Sequence, residues 1–157
     1  ELLQNSPPFQ FGDPKRPIYT RARFLPPSMV FGAQVNCSMI AEGCKIGRGA
    51  VIENSIIGLR TVIGEGVTIR DSIIRGADYY DDEVHQRDSE CETPVGIGAG
   101  TFIQGAIIDK NCRVGRNVRI VNETGMENTP NDADDCLIRD GIPVLVKDAR
   151  IPDGWRL

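Results

Sequence analysis

Isoleucine and valine recur along this chain at a spacing that suits neither a single strand nor a helix. From Ile40 the sequence runs IAEGCK IGRGAV IENSI IGLRTV IGEGVT IRDSI I, with leading aliphatics at Ile40, Ile46, Ile52, Ile57, Ile63, Ile69 and Ile74. The steps are six, six and five residues, twice over, so a full cycle takes seventeen. After an interruption the beat resumes at Ile97, Ile103, Ile108, Val114 and Ile120, with the five-residue step in the same place. Self-similarity at a fixed period marks a stacked-repeat architecture. A 3.6-residue period does not produce these steps. A short strand on each of three sides of a coil does.

A second inward position is expected four residues after each leading aliphatic. Those positions hold Cys44, Ala50, Ile56, Thr61, Val67, Ile73, Thr101, Ile107, Cys112 and Val118, all small or apolar. Between the two lies a corner, where Gly43, Gly49, Gly66, Gly100, Asn111 and Asn117 recur; glycine and asparagine tolerate left-handed backbone angles at low cost. Stacked coils pair each strand in parallel with the strands above and below, leaving free edges only at the ends. The pattern predicts an all-β, triangular parallel β-helix.

Two excursions break the beat: an acidic one over 75–94 and a polar one over 122–135. The stretch CLIRDGIPVLVKDARIPDGWRL then supplies a last strand-rich coil and a cap, with Trp155 over the open end of the core or in a subunit contact. Residues 1–30 stand outside the beat. Six prolines, Pro7, Pro8, Pro14, Pro17, Pro26 and Pro27, exclude a long helix there. Phe9, Phe11, Tyr19 and Phe24 either pack along the coil flank or mark a surface for a further domain. The expected division is an extended segment, 1–30, and a β-helix, 31–157.

At 157 residues this is one domain of ordinary size. It opens on Glu1 rather than methionine, which reads as a piece of a longer protein. Eighteen basic and 22 acidic residues leave a net charge of −4, which argues against nucleic acid or an anionic membrane as partner. No run is long and apolar enough for a membrane span. The five cysteines, Cys37, Cys44, Cys91, Cys112 and Cys136, form no CxxC pair, so reduced thiols are expected, with Cys44 and Cys112 packed in the core.

Enzymes built on such coils use histidines as general bases or metal ligands. This chain has one, His85, inside the acidic excursion. The carboxylates Asp78, Asp81, Asp82 and Glu83, and Asp132, Asp134 and Asp135, read as solvated loops or a divalent-ion site. VGIGAG at 95–100 has the look of a phosphate loop but is in register with the repeat. What remains is a set of cations: Arg21, Arg23, Lys110 and Lys147. Guanidinium forks and ammonium charges are what a phosphate or small carboxylate requires. Spacing alone leaves each of them open between a ligand role and a solvated face.

The stretches PIYTRARFLPPS, IGLRTVIGEG, RGADYY, PVGIGAG, AIIDKNCRVGRNVRI and DGIPVLVKDARIPDG resemble the C-terminal domain of ADP-glucose pyrophosphorylase (glucose-1-phosphate adenylyltransferase) in its cyanobacterial and plant style, across essentially the whole chain. The resemblance implies a left-handed coil. It also implies a regulatory and assembly role in an enzyme that joins glucose 1-phosphate to ATP for glycogen or starch synthesis. The magnesium ion and the nucleotide-binding catalytic domain would precede this chain, which would itself hold no cofactor and no catalytic residue. The parent would be a tetramer, homo- or heteromeric, in a bacterial cytoplasm or a plastid stroma. Its effectors would be 3-phosphoglycerate and phosphate. By the same resemblance, Lys110 of IIDKN, Lys147 of KDA, Arg23 and Arg21 would face an effector between the two domains. One departure is Met29, where the family commonly has lysine after LPPS. The alternatives are a stand-alone hexapeptide-repeat acyltransferase, which would bind acyl-CoA, and an oligomerisation scaffold with no ligand.

Overall fold

The computed structural model describes residues 13–17, 19, 21–81, 93–130 and 135–157. The described residues form seventeen short strands and no helix. They fall into three sheets, one per side of the coil. The first contains β1 (Met29–Val30), β4 (Lys45–Ile46), β7 (Val62–Ile63), β10 (Gly96–Ile97), β13 (Arg113–Val114) and β17 (Arg150–Ile151), in that spatial order. The second contains β2 (Gln34–Asn36), β5 (Val51–Glu53), β8 (Thr68–Arg70), β11 (Phe102–Gln104) and β14 (Arg119–Ile120). The third contains β3 (Met39–Ile40), β6 (Ile56–Ile57), β9 (Ile73–Ile74), β12 (Ile107–Ile108), β16 (Ile142–Leu145) and, antiparallel at its edge, β15 (Cys136–Arg139). Every other pairing is parallel and sets one leading aliphatic on the next: Ile52 on Ile69, Ile69 on Ile103, Ile74 on Ile108. The coil starts at Met29, two residues before the expected boundary.

The leading aliphatics and the small residues between them make one continuous core, with Ile46, Ile52, Ile69, Ile103 and Ile120 fully buried. Cys44 and Cys112 lie in it as expected. Burial raises the Cys44 thiol pKa, and burial, helped by the carboxylates of Asp109, Asp148 and Asp135, pushes Cys112 up to about 12. The four described cysteines are free thiols; Cys91 lies outside the described residues.

The five-residue side differs from the expectation. Ile56, Ile73 and Ile107 do not face inward; Ser55, Ser72 and Ala106 do. Strand side chains alternate with a period of two, so the inner partner always sits two residues before the next leading aliphatic. The missing residue is taken from the corner, which Asn54, Asp71 and Gly105 turn at positive φ. Serine suits this tight corner. Ser55 Oγ donates to the Glu53 carbonyl at 2.7 Å and accepts the Ser72 N–H at 3.1 Å. Ser72 Oγ repeats the arrangement with Arg70 and Ala106. The hydroxyls thus pair backbone groups that burial would otherwise leave unsatisfied.

The displaced aliphatics form an outward row on the third sheet. Register places Met39, Ile56, Ile73, Ile107, Val144 and Leu137 side by side across its strands. Ile73 is 42% exposed, and its neighbours are half-buried against one another. The outward positions of the first sheet instead include Lys45, Arg113 and Arg150.

The C-terminal end departs from the repeat. Cys136–Arg139 and Ile142–Leu145 form a hairpin closed by Asp140 and Gly141, both at positive φ, the geometry that favours Asp-Gly in a two-residue loop. Trp155 packs against the core at this end, and its carbonyl accepts the Arg119 N–H at 2.8 Å. At the other end Val30 and Val35 face the axis but stay 48% and 41% exposed, because none of the described residues forms a coil beyond them. Tyr19 and Phe24 do not pack along the flank; they are 91% and 96% exposed. Phe9 and Phe11 lie outside the described residues.

Truncating an inward aliphatic leaves a cavity that stacked coils cannot close. Ile103→Ala is expected to cost about 2–5 kcal/mol in chemical denaturation, and Ile73→Ala clearly less. Equal losses at the two sites would contradict the inward and outward assignment.

Candidate anion-binding site

The coil register carries the two lysines to one corner. Ile108 pairs with Leu145, so Lys110 and Lys147, two residues further along each coil, are equivalent positions on adjacent turns. The Asp148 N–H donates to the Lys110 carbonyl at 2.9 Å, the same rung that joins Asn111 to Gly76 and Ala77 to Leu59 one and two coils earlier. The column therefore reads Leu59, Gly76, Lys110, Lys147. Adjacent strands are spaced about 4.8 Å apart, which puts two ammonium-bearing stems side by side. Gly76 is required in its place: its φ is 84°, and a Cβ there would collide with the Leu59 carbonyl.

Between the lysines sits Asp78. Lys110 Nζ donates to Asp78 Oδ1 at 2.6 Å, and Lys147 Nζ lies 3.8 Å from Oδ2. The buried Asn111 side chain accepts the Asp78 N–H at 2.8 Å and approaches Oδ2 with its amide at 3.4 Å. The hydrogen bond from Lys110, then its charge, Asn111 and the charge of Lys147, hold the Asp78 carboxyl below the ordinary 3.8, against the opposing effect of burial. The lysine side chains are 35% and 55% exposed, so water and salt reach the site.

The root of the acidic excursion holds Asp78 in position. Ala77 is buried and donates its N–H to Leu59 at 2.8 Å. The Tyr80 hydroxyl donates to the Gly43 carbonyl at 2.9 Å, and Lys45 and Arg60 approach the Tyr80 ring face at about 6 Å. Gly43 leaves room for that hydroxyl; a Cβ would strike it. Arg113 grips Asp81 with two hydrogen bonds, at 2.7 and 3.0 Å, in the least exposed ion pair described. Burial works against the Arg113 charge, but the hydrogen bonds and charges of Asp81 and Tyr79 together outweigh it and raise the guanidinium pKa. The first part of the expected excursion thus lies on the coil.

Arg21 and Arg23 are not bonded to this corner among the described residues. Both are exposed, and Arg23 donates to the Arg21 carbonyl at 3.2 Å. Among the described residues, no hydrogen bond or ion pair joins them to the lysines. Met29 stands outward on β1, beside Lys45. Of the carboxylates considered for a divalent ion, Asp78 and Asp81 instead engage cations, and Asp135 accepts the Arg150 N–H at 2.9 Å. No group of three or more His, Cys, Asp or Glu that could hold a metal occurs among the described residues. His85, Asp82, Glu83, Asp132 and Asp134 lie outside them. Gly96 and Ile97 form β10 and Gly100 turns a corner at φ 70°, so VGIGAG belongs to the repeat.

Sequence reasoning missed Asp78 as the partner of the lysines because 32 residues separate it from Lys110. The available signal was Leu145: counted as a leading aliphatic, it puts Lys147 in register with Lys110.

A carboxyl held down by ammonium groups keeps its charge into acid. The pairing is complete above the ordinary carboxyl pKa and is lost as pH falls through the depressed one. In an NMR titration Asp78 is expected to protonate below the ordinary value, and in Lys110→Ala its midpoint should rise towards 3.8. An unmoved midpoint would show that Lys110 does not hold this carboxylate.

The three-sided parallel architecture agrees with one family. The description "GLGC left-handed parallel beta-helix domain" matches residues 23–155, which also assigns the hand of the coil. The chain belongs to that family, the C-terminal β-helix of ADP-glucose pyrophosphorylase, whose role is regulation and assembly of glucose-1-phosphate adenylyltransferase.

Proposed function

We propose that the corner formed by Lys110 and Lys147 is this chain's share of an effector site for a small phosphorylated anion, 3-phosphoglycerate or phosphate. The observation that carries the reading is that two lysines equivalent in successive coils converge on a single carboxylate. Two like charges held about one strand spacing apart repel, and an anion between them relieves the repulsion. Asp78 occupies the position that a ligand carboxylate or phosphate would take.

On this reading Arg21 and Arg23 complete the site together with a preceding nucleotide-binding domain. Their exposed guanidiniums fit bidentate recognition of phosphate. The magnesium ion belongs to that other domain. The effector acts by favouring one arrangement of the two domains over another, since a ligand shifts an equilibrium only by its differential affinity.

Removing one ammonium from a charge-assisted contact is expected to weaken binding about tenfold or more. Titrating 3-phosphoglycerate or phosphate into the chain by calorimetry, and into the whole enzyme by half-activation, should show that loss in Lys110→Ala and in Lys147→Ala. Unchanged values in both variants would sink the effector reading.

Assembly has its own surface in this reading, and a second copy of the β-helix is the occupant. The aliphatic row from Met39 to Leu137 spans the third sheet, about 24 Å at 4.8 Å per strand. A continuous apolar row can meet its own copy across a twofold axis, and it stands apart from the charged first sheet. Ile73→Lys is expected to reduce the molecular mass of the particle in analytical ultracentrifugation. An unchanged assembly would place the subunit contact elsewhere.

A further inference from the structure

We infer that Asp78 is a tethered competitor at the lysine corner: its carboxylate fills the anion position and sets how much charge a ligand must bring to displace it. The inference rests on the reading of Lys110 and Lys147 as an anion site, and it concerns the regulation of that site.

Three observations carry it. The first is stereochemical. One carboxylate oxygen is hydrogen-bonded by Lys110 and the other faces Lys147 at 3.8 Å, so a single group lies between both cations. The second is preorganisation. Asp78 does not arrive on a free loop: Asn111 holds its N–H, Ala77 is buried on the coil beside it, and Tyr80 and Asp81 are fastened to Gly43 and Arg113. A carboxylate held this way is a local ligand at high effective concentration. The third is exchangeability. Both lysines and Asp78 remain open to solvent, and exposed ion pairs are weak. The occupant can therefore be exchanged, whereas the more buried Arg113–Asp81 pair nearby stays in place as the anchor.

The charge of the ligand follows from the competition. A simple carboxylate offers the lysines nothing that Asp78 does not already supply. A phosphate dianion brings more charge and more acceptor oxygens, and it displaces the tethered group. Of the two carboxylates next to the lysines in sequence, Asp109 is engaged by Arg75 at 2.9 Å, and Asp148 follows Lys147 on the next coil. The internal carboxylate thus lets phosphorylated ligands in and keeps ordinary organic acids out.

The test uses the 157-residue chain, inorganic phosphate and acetate as probes, and calorimetry or lysine-side-chain NMR as readout. Asp78→Asn keeps the shape and the backbone bond to Asn111 and removes the charge; Asp78→Ser serves as a second variant, and thermal unfolding checks that each is folded. If Asp78 occupies the site for about nine-tenths of the time, phosphate should bind about tenfold tighter to either variant. Acetate binding should become measurable in both. Lys110→Ala should lose phosphate binding whatever stands at position 78. Unchanged or weaker phosphate binding in both Asp78 variants, with Lys110→Ala still deleterious, would overturn the competitor and leave the anion site standing. Phosphate binding that is indifferent to Lys110 and Lys147 as well would overturn the site itself, and the competitor with it.

Discussion

Parallel strand pairing between successive coils is the constraint on which everything else in this structure depends. Each coil is too small to bury its own aliphatics, and it gains a core only by laying its strands on those of the next turn. That pairing fixes register residue by residue, because a slip of one would turn the inward isoleucines to solvent. Once register is fixed, positions distant in sequence become neighbours in columns. Ile69 meets Ile103, Ser55 meets Ser72, and Lys110 meets Lys147 by the same rule. Core and site are two columns of a single ladder, one facing in and the other facing out.

The repeat also decides where irregularity is tolerated. Excursions leave from corners and return in register, so the chain can insert long segments without disturbing the core. The acidic excursion exploits this at its root. Ala77, Tyr80 and Asp81 bind back to the coil, and the residue between these anchors, Asp78, is delivered to a column of cations it could not reach from within the repeat. A glycine at 76 makes room for that path. The site therefore needs the regular ladder to stack the lysines and the departure from it to supply their partner.

Much of the fold could be read from the order of residues, because steps of six and five leave few alternatives to a three-sided coil. Cys44, Cys112 and the corner asparagines fell where the beat put them. The short side departs from a fixed offset of four because its turn has one residue fewer; Ser55 and Ser72 keep the strand alternation, and Ile56 and Ile73 face out. The DG hairpin at Asp140 and Gly141 carried its usual signal, but it falls where the beat has broken. That break also hid the equivalence of Leu145 with Ile108, and so the stacking of Lys147 on Lys110. Asp78 was legible only as one of several acids, since nothing in local sequence announces a partner 32 residues away. Arg21 and Arg23 precede the first coil, where no ladder determines their position.

On the proposed reading, the ladder builds an anion position between Lys110 and Lys147. The most direct test of that reading is a crystal structure of the chain grown without and then soaked with phosphate. Phosphate density is expected within hydrogen-bonding distance of both ammonium groups, with the Asp78 carboxylate turned away from them. Phosphate bound elsewhere at full occupancy, with Asp78 still bridging the two lysines, would contradict it.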